Sequence, residues 1–156
     1  MIVKMENLKK EFLDYLVNKK KFTDNTIESY QRDVDMLAFY LVKHDINRFS
    51  DMSEEDFYTI LDEMKEEGFA PSSMQRFVSA VRCLFSFLVL NGYCDYNPVR
   101  RVSIENCERK VPTILTETEV AKLLAQPQGN DFKGLRDKAM IELMYASGLR
   151  VSELLF

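Results

Sequence analysis

The feature that most limits what this chain can fold into is a run of apolar residues spaced three and four apart. Between positions 23 and 43 they fall at Ile27, Tyr30, Val34, Leu37 and Leu41. That spacing gathers them on one face of a 3.6-residue helix, whereas a strand would need a period of two. The same pattern recurs on either side. Residues 5–19 carry Leu8, Phe12 and Leu16 on one face and lysines on the other; residues 53–67 carry Phe57, Ile60, Leu61 and Met64; residues 71–91 carry Phe77, Val81, Leu84, Phe85 and Leu88. The punctuation agrees. Thr23 and Asp24 suit a helix start, Gly68 and Asn91-Gly92 suit helix ends, and Pro71 suits a first helical position. Five Gly and four Pro in 156 residues leave few turns for a many-stranded sheet. The expected fold class is all-α, with four helices joined by short loops up to about residue 92.

The periodicity stops at Asn97-Pro98. Residues 97–112 have no helical stripe and hold Arg100, Arg101, Arg109 and Lys110, so they read as an extended, basic linker. Beyond it, Thr116 and Glu119 form the T-x-x-E pattern of a capping box, which predicts a helix over 117–125. A longer helix is expected over 133–146, with Leu135, Ala139 and Leu143 turned inward. Ser147-Gly148 ends it, and another begins near Leu149. The final Leu154-Leu155-Phe156 is apolar and uncapped, which sets the expectation of a second unit cut short. The domains expected are residues 1–108 and residues 109–156.

Composition narrows the function classes. No apolar run approaches the roughly 18 residues of a membrane span, and the first ten residues lack the apolar core of a signal peptide. Cys83, Cys94 and Cys107 form no C-x-x-C pair, so neither a disulfide framework nor a zinc site is expected. A reducing, cytoplasmic setting with no metal fits. The net charge of −4 argues at first against a nucleic-acid partner. Its distribution removes the objection. Residues 1–69 are net −6, with much of the acid between Asp51 and Glu67, whereas residues 70–110 are net +3. Screening confines the acidic face to about one Debye length, roughly 8–10 Å.

Three groups of residues can carry chemistry. The fourth helix has a second stripe opposite its apolar one, with Ser72, Gln75, Arg76, Ser79, Arg82 and Ser86 on it and Ser73 beside it. Small hydroxyls allow close approach, and guanidinium groups reach phosphates and base edges. An ordinary solvated face would read the same way. The start of the second helix offers a shorter set, Asn25, Thr26, Ser29 and Arg32, where free backbone N–H groups also favour phosphate. The third group is Gly148, Arg150 and Glu153. Gly148 permits a sharp turn, and Arg150 follows at a helix start with Glu153 near enough to hold it. That arrangement is either an anion clamp or a structural ion pair.

The stretch from Leu135 to Leu154 resembles the first catalytic-arginine motif of the tyrosine recombinase (phage integrase) family, most closely its Xer-type members. Asn25-Thr-Ile-Glu-Ser-Tyr30-Gln-Arg-Asp33 resembles the family's second core-binding helix, and Ser79 to Leu88 its fourth. Asn97-Pro98 and Thr116 to Glu119 fall where the linker and first catalytic-domain helix belong. The resemblance implies a four-helix, SAM-like core-binding domain followed by the helical beginning of a mixed α/β catalytic domain. It implies site-specific recombination or integration of duplex DNA by a tetramer on two sites, without metal, ATP or other cofactor. A tyrosine attacks the scissile phosphate and a 3′-phosphotyrosine forms. Arg150 matches the first catalytic arginine and Glu153 a supporting position. Asn25, Thr26, Ser29, Tyr30, Arg32, Ser72, Ser73, Arg76, Ser79, Arg82, Arg100 and Arg101 become the candidate DNA contacts.

The sequence also departs from the family pattern. Its one histidine is His44, so the His-x-x-Arg motif is missing, and Tyr145 does not match the nucleophile. The second arginine, the lysine and the nucleophilic tyrosine are expected further along a longer parent, and this stretch alone is expected to be inactive. Two alternatives remain at this level: a DNA-binding fragment without catalysis, and a helical module that meets an acidic protein.

Overall fold

The computed structural model describes residues 2–104, 113–127 and 131–155. They contain seven α-helices and no strand: α1 (Ile2–Tyr15), α2 (Asp24–Lys43), α3 (Glu54–Glu66), α4 (Pro71–Leu90), α5 (Glu117–Leu124), α6 (Phe132–Ser147) and α7 (Val151–Leu155). The chain divides into two units, Met1–Glu108 and Arg109–Phe156. The all-α expectation holds throughout the described residues.

The helix ends follow local chemistry. Ser53 caps α3 by accepting from the Asp56 backbone N–H while the Asp56 carboxylate accepts in return from the Ser53 N–H, a reciprocal capping box. Thr116 and Glu119 do the same for α5. Pro71 occupies the first turn of α4, where its missing N–H leaves no bond unmade. Gly68 follows α3 at φ +85° and Gly148 follows α6 at φ +69°, a left-handed backbone that a side chain disfavours. Thr23 stands at the N-cap of α2, but its hydroxyl pairs with that of Thr26 and does not bond a backbone N–H.

In the first unit the apolar stripes converge. Phe12, Leu16, Leu37, Leu41, Phe57, Ile60, Met64, Phe77, Val81 and Leu84 lose essentially all contact with solvent. Phe57 of α3 stacks on Phe77 of α4 with ring centres 5.7 Å apart. Truncating such a ring to Ala typically costs about 3–5 kcal/mol. Polar bonds fix the helices around this core. Lys9 of α1 reaches Asp35 of α2 at 2.6 Å, and Tyr93 donates to Glu11 at 2.8 Å. Tyr40, buried on α2, donates to Glu67 at 2.7 Å; burial, then that bond, pushes its phenol up to about 12.

Two expectations are corrected. Residues 97–104 do not run free as a linker. Val99 and Val102 are fully buried against the first unit, with Ile104 packed on the core. Two apolar residues three apart suffice to pin a short segment, although they make no long stripe. Residues 105–112, with Cys107, Arg109 and Lys110, lie outside the described residues. In the second unit, Leu135, Ala139 and Leu143 are exposed, not inward, because the short α5 and α7 leave that face of α6 uncovered. α4 is also long and apolar enough to cross a membrane by length and mean hydropathy. Gln75, Arg76 and Arg82 interrupt it, so it holds no unbroken apolar run of that length. Half of that stretch is buried in the unit's own core.

Candidate nucleic-acid interface

α2 and α4, which carry the two polar sets, pack against each other. The junction is an ion pair. Arg76 of α4 places Nη2 3.0 Å from Asp33 Oδ1 of α2. Asp33 is only 1% exposed, whereas the Arg76 side chain is 46% exposed. Burial pushes the Asp33 carboxyl above its usual range, and the positive charges of Arg76 and then Arg32 pull the other way.

The candidate α2 residues lie on the helix that carries Asp33. Asn25 and Arg32 are exposed; Thr26, Ser29 and Tyr30 are half-buried. The Ser29 hydroxyl donates to the Asn25 carbonyl at 2.8 Å, and Arg32 Nε donates to the Glu28 carbonyl at 3.3 Å. Tyr30 sets its ring edge against Phe22, centres 5.7 Å apart. Burial, then the nearby Cys83 and Asp33, raise its phenol. On α4, Ser72 is exposed and Ser73 half-buried, while Ser79 donates to the Gln75 carbonyl at 2.9 Å. These back-bonded hydroxyls keep their acceptor lone pairs and a small profile.

Arg82 differs from Arg76. Its Nε donates to the Val99 carbonyl at 3.2 Å and its Nη2 to the Val102 carbonyl. Asn97 completes the arrangement. Its Nδ2 donates to the Arg82 carbonyl and the Ser86 hydroxyl, each at 3.1 Å, and its Oδ1 accepts from the Val99 N–H at 3.0 Å. Arg82 therefore holds the returning chain on α4. An open groove runs past it, lined by Ser86, Asn97, Tyr96 and Arg100. Arg100 and Arg101 are exposed. Spacing in the sequence gave no sign of the Asp33–Arg76 or Arg82–Val99 partnerships, which join residues 43 and 17 positions apart.

In the second unit Arg150 immediately precedes α7. The Glu153 N–H bonds the Arg150 carbonyl at 2.9 Å, so Arg150 takes the cap position. The Glu153 carboxylate accepts twice from it, from the backbone N–H at 2.8 Å and from Nη1 at 2.9 Å. The Arg150 side chain remains 81% exposed. Tyr145 is 63% exposed on α6. Among the described residues no group of three or more His, Cys, Asp or Glu is placed to hold a metal ion.

Residues 10–92 match the phage integrase N-terminal SAM-like domain. The chain belongs to the tyrosine recombinase (phage integrase) family. It is 37% identical over 150 residues to a protein of Caldanaerobacter subterraneus subsp. tengcongensis that carries a tyrosine recombinase name, TTE1313; the match takes in 96% of this chain and 51% of that one. It is 31% identical over 151 residues to tyrosine recombinase XerD of Staphylococcus aureus, with 97% of this chain and 51% of the relative covered. The chain spans about half the length of the curated relatives it matches.

Proposed function

We propose that the first unit is a duplex-DNA-binding module of a site-specific recombinase, and that the seam of α2 and α4 is its contact surface. The observation that carries this reading is the packing of the two helices that bear the polar sets, joined by the Asp33–Arg76 ion pair, in a chain of the tyrosine recombinase family. Arg76 and Arg32 supply guanidinium donors there; Ser72, Ser73, Ser79, Asn25 and Ser29 supply small polar groups that tolerate close approach. Arg100 brings a positive charge to the groove beside α4, which Asp95 also lines, and Arg101 is exposed next to it in the chain. Arg82 has spent two donors on backbone carbonyls, so its main part is to shape that surface.

The second unit, in this reading, begins a mixed α/β catalytic domain. Arg150 is an electrostatic donor to the scissile phosphate, and Glu153 orients it. The strand exchange itself, through a 3′-phosphotyrosine and without metal or other cofactor, belongs to the longer protein, a tetramer on two DNA sites in the cytoplasm.

The test is a salt titration of binding to a random-sequence duplex pool. Displacing condensed counterions makes log K fall linearly with log salt, with a slope of about −0.9 for each phosphate neutralised. Tight binding at low salt with that dependence is expected. If the chain ignores duplex at low salt and instead captures a polyanionic peptide, the protein-interaction reading replaces this one.

A further inference from the structure

We propose that Asp33 is a positioning residue for DNA recognition, holding Arg76 in its binding orientation from inside the α2–α4 seam. This deepens the DNA-binding reading and rests on it. The carboxylate is an odd tenant of an apolar interface. It is 1% exposed, it meets Arg76 through Oδ1, and its buried Oδ2 has no hydrogen-bond partner among the described residues. Burying such a group costs desolvation free energy that one hydrogen bond does not fully offset. Apolar residues of similar volume hold two helices together at least as well. The arrangement therefore contributes orientation more than stability.

The geometry fits that role. A guanidinium has five N–H donors in a rigid plane, and the Asp33 contact engages one nitrogen. The remaining donors sit on a side chain that is nearly half exposed. Fixing one end of a long side chain before binding removes ordering entropy that would otherwise oppose the complex. It also fixes the plane in which two donors can face a base edge or a phosphate. By contrast Arg32, one residue before Asp33, is bonded among the described residues to its own helix backbone. Burial raises the Asp33 carboxyl, with Arg76 the larger of the two opposing charges.

The experiment compares Asp33→Leu, Asp33→Asn, Arg76→Ala and the Asp33→Leu/Arg76→Ala double variant in the full chain. The probe is the tightest duplex selected from a random pool. Three readouts are taken: thermal midpoint, duplex affinity, and NMR relaxation of the Arg76 Nε–Hε group without DNA. Asp33→Leu is expected to keep or raise the midpoint and yet weaken binding about tenfold, the size of one well-oriented guanidinium contact. Arg76 Nε–Hε becomes mobile in it, and adding Arg76→Ala causes little further loss. If Asp33→Leu does not fold, Asp33→Asn carries the same comparison with near-identical shape. Folded Asp33 variants that bind as wild type, losses that add fully in the double variant, or a mobile Arg76 in the wild type each overturn the inference. A wild-type chain that binds no duplex at low salt overturns the DNA reading itself, a result distinct from all three.

Discussion

Arg82 Nε lies 3.2 Å from the Val99 carbonyl, and the same guanidinium bonds the carbonyl of Val102. One α4 side chain thus satisfies the backbone of a segment whose two valines are fully buried. Arg82→Ala removes that donor from both carbonyls; the Val99 carbonyl still accepts from the Val102 N–H at 3.3 Å, so the loss falls on the Val102 carbonyl. A buried acceptor left unpaired costs about 1–3 kcal/mol. In a domain of roughly this size each kcal/mol lowers the melting midpoint by about 4–8 °C. Arg82→Ala is therefore expected to show a clearly lower midpoint by calorimetry. Equal midpoints for Arg82→Ala and wild type would show that water replaces the guanidinium at no cost.

The acid side of the stability profile separates two carboxylates with opposite shifts. Burial, opposed by Arg76 and Arg32, raises the Asp33 carboxyl above 3.8. The folded state therefore binds a proton there before the unfolded state does. Between 3.8 and that raised value, Asp33 adds stability as pH falls. The side-chain and then backbone hydrogen bonds to Ser53 lower Asp56 below 3.8. Its contribution is complete above 3.8 and is lost as pH drops through the depressed value. Chemical denaturation from neutral pH downward should show Asp33→Asn removing the gain above 3.8, and Asp56→Asn flattening the loss below it. If Asp33→Asn leaves the upper part unchanged, Asp33 is not the group that titrates there.

What was legible in the sequence was whatever depends on neighbours within one or two helical turns. Ile27 to Leu41 marked α2, Pro71 marked the start of α4, and the Thr116–Glu119 box marked α5 to within a residue. Ser53 and Asp56 form the same kind of box, but a carboxylate one methylene shorter hides it from an S/T-x-x-E template. The family resemblance was legible because it rests on several such local patterns in order. What depends on distant pairing was not. Asp33 and Arg76 are 43 residues apart, and Arg82 gave no sign that its donors go to the backbone at 99 and 102. The inward face assigned to α6 erred because periodicity shows which side of a helix is apolar, not whether another element covers it.

A polypeptide of these 156 residues is expected to trap no DNA covalently. Its one histidine, His44, sits beside Glu63 in the first unit, with Nε2 2.7 Å from the carboxylate. Tyr145 is exposed on α6, near Arg150 in sequence but not at a position that matches a nucleophile. Incubation with a nicked suicide duplex, followed by denaturing electrophoresis, should leave the protein at its own mass. A denaturant-resistant adduct mapped to any tyrosine of this chain would mean that the nucleophile lies here after all.

Arg150 gives the sharpest test of the proposed chemistry. Glu153 holds it through both the backbone N–H and Nη1, and among the described residues its other terminal nitrogen has no partner, on a side chain that is mostly exposed. A donor fixed in advance stabilises charge that develops in the transition state more than it stabilises bound DNA. Removing one such donor typically slows reaction by about 10²–10³-fold. Lysine is no substitute, because a compact ammonium cannot bond Glu153 and a phosphate oxygen from one rigid plane. In a longer protein that contains this chain, Arg150→Lys should bind its duplex almost normally and cleave it at least about a hundred times more slowly. Glu153→Gln keeps the cap acceptor but loses the charge, so its effect should be smaller and in the same direction. Gel shift and suicide-substrate cleavage on one preparation decide the matter. Cleavage by Arg150→Lys at the wild-type rate would reduce Arg150 to the structural half of an ion pair.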